Sequence, residues 1–341
     1  MVDTSVPSRV TQLPMGDEEL RYSTSEIQEY FQRIKLPRQY LDSPVLCDAA
    51  LAQTKQHGLA LLHAITRYHA CNVPFENLEL HYSARKVITL QMADLYAKIV
   101  TQRRGGRCME GNTFFATVLR SLGFHVRNCG GRVSRAMSPY PEVRKKQAST
   151  YDGWNHMLNL VRFDGVWYVV DVGMGAMGPN IPFPLEHGFQ TTSVAPRLIR
   201  LQRRAIPESY ATSSNELWCY DVCYAPSATG DNKWTPVYCF TETEFLPQDY
   251  EIMSWFTSTN PRSFFTKYVT STRMLMDDAG DKIIGNITLF EGGIKKSIGL
   301  DRTTVKECTT EDERVAALKD IFDIDLTDEE RNGISSELCL G

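Results

Sequence analysis

Long apolar runs are missing from this sequence. None approaches the roughly 20 residues that a membrane-spanning helix needs, and stretches such as Leu59–Leu62 are broken at once by a residue like His63. The opening residues have no apolar core behind a basic head, so no secretory signal is read there and a cytoplasmic location is expected. A basic excess is missing as well: 37 Lys and Arg stand against 41 Asp and Glu, a net charge of −4 with a pI near 6.0. That balance argues against nucleic acid or an anionic membrane as the main partner. Cysteine is sparse and odd in number, nine from Cys47 to Cys339, far below the density of a disulfide scaffold. Only Cys219 and Cys223 lie close together, with no second pair at metal-ligand spacing, so reduced thiols and no metal site are expected.

What remains is an ordinary globular composition, 42% hydrophobic and 23% charged, over 341 residues. Length alone suggests about two domains, but three kinds of patterning follow one another. Residues 1–22 are polar and read as a loose lead. From Thr24 to about Leu62 the apolar residues recur at helical spacing, with Ser25 and Gln28 as a capping pair, until Asn72-Val73-Pro74 breaks the pattern. Another helix follows Cys108, its face made by Phe114, Phe115, Val118, Leu119 and Leu122, with Gly123 as its C-terminal stop. Strand patterns begin near residue 124 and include 217–224, 237–240 and 282–289. The polar stretch 134–152 reads as an excursion or lid, 254–264 as a loop and 311–322 as a helix. The sum is an α+β chain: a helical part over 1–123, a mostly β part over 124–225 and a mixed part over 226–341.

The segment HMLNLVRFDGVWYVVDVG carries geometry of its own. Asp164-Gly165 between two apolar β runs signals a two-residue hairpin turn. That turn pairs Phe163 with Val166, sets Leu158 opposite Asp171, and places His156 on the same face as both. An imidazole and a carboxylate at that diagonal are within hydrogen-bond reach, and the carboxylate would fix the tautomer of the ring. Taken alone, the same residues read first as a packed sheet histidine and a strand-ending aspartate.

Cys108 follows Arg103-Arg104-Gly105-Gly106-Arg107 and opens a helix. Both the positive helix end and neighbouring guanidinium groups favour a thiolate, which makes Cys108 a candidate nucleophile for acyl chemistry. A tight turn with a merely packed thiol is the bland alternative, and it is the preferred reading for Cys71, Cys129 and the others. Spacing alone does not bring Cys108 to His156.

RGGRCMEGN (104–112), preceded by VPFENLEL (73–80) and followed by HMLNLV and WYVVDVGMG, resembles the arylamine N-acetyltransferase family, with the RGGRC wording of its fungal members. The likeness runs from about Tyr30 to Leu326. It implies a helical first domain, a β-barrel second domain, an α/β lid and a cysteine-protease-like Cys-His-Asp core. It assigns Cys108 as nucleophile, His156 as base and Asp171 as orienting acid. It also implies ping-pong transfer from acyl-CoA, a co-substrate rather than a bound cofactor, to an arylamine or hydrazine, without a metal. By motif, Phe75 lines the acyl pocket, Met174 the amine pocket, and the Gly153 backbone approaches the pantetheine arm. Two positions depart from the family: Arg107 stands where an aromatic is common, and Asn155 where a small or apolar residue is usual. A cation and an amide there suit a carboxylate on the acyl group, so malonyl-CoA is slightly favoured over acetyl- or propionyl-CoA. Arg144, Lys145 and Lys146 are candidate phosphate contacts but fit a solvated face as well. A papain- or transglutaminase-like hydrolase would use the same triad and is the competing reading.

Overall fold

The computed structural model describes residues 21–210 and 215–341. The first 20 residues of the lead over 1–22 lie outside them. The N-terminal part is built from α1 (Thr24–Arg33), α2 (Arg38–Leu41), α3 (Lys55–Asn72), α4 (Met92–Tyr96) and α5 (Cys108–Ser121). The cap of α1 is Ser23 rather than Ser25: the Glu26 carboxylate accepts from the Ser23 backbone N–H at 2.7 Å, closing a capping box two residues earlier than expected. Helix α3 stops at Asn72, before Pro74. Helix α5 ends at Ser121, with Gly123 at φ +91° just beyond it. Phe114, Phe115, Val118 and Leu119 of α5 are fully buried in the core that α1, α3 and α5 share.

Eight strands form one antiparallel sheet in the linear order β5-β4-β3-β2-β9-β8-β7-β6, an open barrel. They are β2 (His125–Val133), β3 (His156–Phe163), β4 (Val166–Val170), β5 (Phe183–Pro184), β6 (Gln190–Thr192), β7 (Leu198–Arg204), β8 (Leu217–Cys223) and β9 (Thr235–Glu244). The excursion between β2 and β3 is not all loop, since α6 (Pro141–Gln147) folds within it, started by Pro141 at its first position. The last region contains α7 (Pro247–Thr259), α8 (Phe264–Lys267), α9 (Glu311–Phe322) and α10 (Asp328–Arg331). With them lies a five-stranded antiparallel sheet of β1 (Phe75–Glu76), β10 (Thr270–Met276), β11 (Ile283–Phe290), β12 (Gly293–Ile298) and β13 (Asp301–Glu307).

Two strands cross the sequence boundaries drawn above. Strand β9, from the 226–341 stretch, pairs with β2 and β8 in the large sheet, where Tyr238 and Phe240 bury against the aromatic interior. Strand β1, from the helical part, pairs with β10 and ties the segment before Cys108 to the C-terminal sheet. Residues Ser254–Thr259, read as loop, are the last turns of α7. Among the described residues, no helix is long and apolar enough to cross a membrane.

Candidate active site

The hairpin register sets two of the three central residues. Asp164 and Gly165 adopt φ +46° and +88°, as a type I′ turn requires, and Phe163 pairs with Val166. The ladder runs back to Asn159 opposite Val170, so Asp171 emerges one residue past β4 and His156 opens β3. His156 Nε2 and Asp171 Oδ2 are 2.8 Å apart, with the two residues 1% and 2% exposed. Asp171 Oδ1 accepts from Gly173 N–H at 2.8 Å and from Asn112 Nδ2 at 3.0 Å. Burial pushes the His156 imidazole down, but the Asp171 carboxylate, its hydrogen bond and the Cys108 sulfur outweigh that and lift it to about 10. Burial pushes Asp171 up. The His156 charge and the bonds from His156, Asn112 and Gly173 prevail and hold it below the ordinary carboxylate range. The tilted ring of Tyr238 packs on the imidazole at 4.8 Å between centroids.

Packing across the fold supplies the third residue. Helix α5 lies on β3 through Asn112, whose Nδ2 also donates to Met157 O at 2.7 Å, and this brings Cys108 beside His156. Cys108 Sγ lies 3.8 Å from Asn155 O and 3.6 Å from Met109 Sδ, and His156 Nδ1 has no hydrogen-bond partner. The approach is close enough to dictate glycines. A Cβ on Gly173 would sit 2.6 Å from Cys108 Cα, and one on Gly105 would sit 1.8 Å from Pro74 O.

The basic run before the cysteine is not a bare field of guanidinium groups. Arg103 reaches Asp323, and Arg104 donates to Glu330 at 2.6 Å with its Nε 3.4 Å from Glu76. Both charges are therefore balanced by carboxylates, and the cation facing the sulfur is the imidazolium. Arg107, 1% exposed, donates to Ser254, Thr257 and Ser258, and its guanidinium carbon lies 5.2 Å from the Phe265 ring centroid. Phe265 packs on Phe75 at 6.0 Å, and the Phe75 ring lies against Gly175, next to Met174. Asn155 uses its Oδ1 to accept from Val133 N–H at 2.8 Å. A Cβ on Gly153 would meet nothing within 4 Å. Arg144 donates to the backbone oxygens of Ser138 and Pro139 and so caps its own excursion.

A sequence profile of the N-acetyltransferase family matches residues 58–331. The N-malonyltransferase FDB2 of Fusarium pseudograminearum is 65% identical over 334 residues, 97% of each chain. That of Gibberella moniliformis is 61% identical over 336 residues, again 97% of each. The arylamine N-acetyltransferase of Mycolicibacterium smegmatis is 33% identical over 248 residues, 71% of this chain and 80% of that one. The chain belongs to the arylamine N-acetyltransferase family. The fold agrees. The solved arylamine N-acetyltransferase of Mycobacterium abscessus superposes with a TM-score of 0.72 at 22% identity, over 96% of this chain and 99% of that one. The Mycobacterium marinum arylamine N-acetyltransferase in complex with CoA gives 0.69 at 25% identity, over 92% and 98%.

Beside the residues picked from the family motifs, the structure adds Asn112 and the α7 hydroxyls. Asn112 stands four residues after Cys108, on the same helix face, and helical spacing could have singled it out. The α7 hydroxyls carry no such signal, because nothing local ties residues 254–258 to Arg107.

Proposed function

We propose that this chain is an acyl-CoA-dependent N-acyltransferase that carries the acyl group on Cys108 and passes it to an arylamine or hydrazine. The observation that carries the reading is His156 between two partners: Nε2 is held by Asp171, and the unbonded Nδ1 is the nitrogen left for the sulfur. In that arrangement the thiol proton moves to Nδ1, and the thiolate attacks the thioester carbonyl of acyl-CoA. The CoA sulfur leaves and takes the proton from the imidazolium, and a thioester remains on Cys108. The amine then attacks that thioester, His156 accepts the amine proton and returns it to the Cys108 sulfur as the amide departs. Acyl-CoA acts as co-substrate, in line with the CoA-bound relative.

Malonyl is the favoured acyl group. The reading is supported by the two N-malonyltransferases at 61–65% identity over nearly the whole chain. It is supported as well by a buried arginine directly before the nucleophile. In this assignment Arg107 receives the terminal carboxylate, Phe75 and Met174 line the acyl and amine pockets, and the open backbone at Gly153 borders the pantetheine arm. Asn155 Oδ1 is held by Val133 N–H, and in this assignment its Nδ2–H donors serve the same terminal carboxylate. Nine free thiols fit a reducing, cytoplasmic setting.

The test is CoA release from malonyl-, propionyl- and acetyl-CoA with an aminophenol or aniline acceptor. Cys108→Ala is expected to abolish release with every donor. Appreciable turnover by that variant removes the nucleophile assignment. Cleavage of a chromogenic peptide by a wild-type protein inert toward acyl-CoA would install the hydrolase reading instead.

A further inference from the structure

Arg107 is a buried cation with an unusual set of partners. Its Nη1 donates to Thr257 Oγ1 at 3.2 Å, and its Nη2 donates to Ser258 Oγ at 2.7 Å and to Ser254 Oγ at 3.3 Å. All three acceptors come from α7 at positions i, i+3 and i+4, so one helix face presents them together. Two of the hydroxyl protons are already used along the helix. Thr257 Oγ1 donates to Met253 O at 3.0 Å and Ser258 Oγ to Ser254 O at 2.5 Å, which turns oxygen lone pairs toward the guanidinium.

These hydroxyls orient the guanidinium but bring no negative charge. Among the described residues its carboxylate partner is Glu110, 3.6 Å from Arg107 Nε, and it is shared: Lys98, which also lies 3.8 Å from Glu79, donates to it at 2.7 Å and the Arg107 backbone N–H at 3.0 Å. Arg107 Nε itself has no hydrogen-bond partner. A buried cation oriented by three neutral acceptors thus shares its carboxylate and keeps two N–H groups, one on Nε and one on Nη1, for a further acceptor. Its guanidinium face lies on Phe265, which packs on Phe75 beside Gly175, two residues from the glycine that touches Cys108.

We infer that Ser254, Thr257 and Ser258 are positioning residues that set the acyl-donor preference: they hold the Arg107 guanidinium where a carboxylate on the acyl group completes its charge. The inference rests on the acyl-transfer reading above and adds to it the helix that decides which acyl groups are taken. A dicarboxylic monothioester such as malonyl-CoA gains from the oriented fork, whereas an alkyl acyl group such as propionyl has nothing to pair with it. The preference is thus written in α7, about 150 residues downstream of the nucleophile.

The experiment uses the full chain and compares kcat/KM for malonyl-CoA and propionyl-CoA with one aniline acceptor. The variants are Ser258→Ala, the triple Ser254→Ala/Thr257→Val/Ser258→Ala, and the conservative Thr257→Ser. Because hydrogen bonds to a charged group are the strong ones, the triple variant should lower the malonyl-to-propionyl ratio by about 10- to 100-fold. Propionyl turnover should stay within about threefold, and Thr257→Ser should keep the wild-type ratio. Ser258→Ala, losing the shortest of the three contacts, should move the ratio in the same direction, and it serves as the test if the triple variant does not fold. A ratio unchanged in folded variants, or equal losses for both donors, overturns the inference. Equal efficiency of the wild type with both donors also overturns it while leaving acyl transfer intact. A wild type that turns over neither donor refutes the acyl-transfer reading itself.

Discussion

Replacing Asp171 by Asn tests the central pair without changing its shape. The outcome follows from which way the new amide must point. Two donors, Gly173 N–H at 2.8 Å and Asn112 Nδ2 at 3.0 Å, converge on Oδ1 of residue 171, so the amide oxygen has to stay there. The amide nitrogen then faces His156 Nε2, where the carboxylate oxygen lay at 2.8 Å. An N–H donor at that place forces Nε2 to become the acceptor and moves the one ring proton to Nδ1, the nitrogen meant to take the thiol proton. The ring is left neutral and in the wrong tautomer. The equivalent change in a Ser-His-Asp triad costs about 10⁴ in kcat, or roughly 5.5 kcal/mol at 1.36 per tenfold. We expect a similar loss in CoA release here. The imidazole pKa in the wild type is raised to about 10. A group raised in this way keeps its charge below the raised value and loses it as pH rises through it. In the wild type the imidazolium is therefore kept beside the Cys108 sulfur across the neutral range and is lost only as pH rises through about 10. Asp171→Asn removes that charge and the base, so alkylation of Cys108 by iodoacetamide at pH 7 should fall by about tenfold or more against the wild type. Alkylation of a folded Asp171→Asn variant within about threefold of wild type at pH 7 would refute the reasoning, because the tautomer argument leaves no base for the thiol.

Further outcomes follow from the same contacts. Asn112→Ala removes a donor from a buried carboxylate and leaves Met157 O without that partner; we expect a loss of about 1–3 kcal/mol in denaturant unfolding and a fall in acylation rate. Gly105→Ala places a methyl 1.8 Å from Pro74 O, so the Pro74–Gly106 approach must open. A Tm reduced by several degrees with reduced CoA release is expected, while a wild-type Tm would show that this backbone yields more easily than the contact implies.

The parts of the site that could be read in advance are those whose geometry is local. The two residues Asp164 and Gly165 fix the turn, the turn fixes the register, and the register puts His156 and Asp171 on one face without knowledge of the rest of the chain. Helix α5 was legible for the same reason, through five apolar residues at helical spacing and a glycine stop. Helix α7 was not. Its last turns, Ser-Trp-Phe-Thr-Ser-Thr, are rich in the hydroxyl residues that favour turns, but in the fold Thr257, Ser258 and Thr259 each turn their hydroxyl to the carbonyl four residues back within the helix. The start of that helix rests on Asp249 accepting from Leu246 N–H at 2.8 Å, a cap set before a proline rather than by Ser or Thr. The meeting of Cys108 with His156 was invisible for another reason: it depends on α5 lying across β3, a contact between residues 45 positions apart that only the folded chain makes.

The three arginines ahead of Cys108 show how position in the fold divides one sequence signal into separate tasks. In the chain they form one basic run that would favour a thiolate as a group. In space Arg103 turns to Asp323, beyond the end of α9, and Arg104 to Glu76 and Glu330, so two of the three fasten the nucleophile loop to the C-terminal region. Burial pushes the Glu76 carboxyl up, but Arg104 and Lys98 prevail and keep it low; this anchor is thus ionised throughout the working range. Charge that is neutralised locally does little for a neighbouring sulfur, so stabilisation of the thiolate falls to the histidine. Arg107 shares Glu110 with Lys98 and gives its hydrogen bonds to neutral hydroxyls. A cation that served only to attach α5 to α7 would gain more from Asp or Glu at 254, 257 or 258 than from hydroxyls, and such a carboxylate would also repel an acidic acyl group. The neutral hydroxyls keep Arg107 oriented and leave its charge for an incoming carboxylate, which is the arrangement a selective acyl pocket requires.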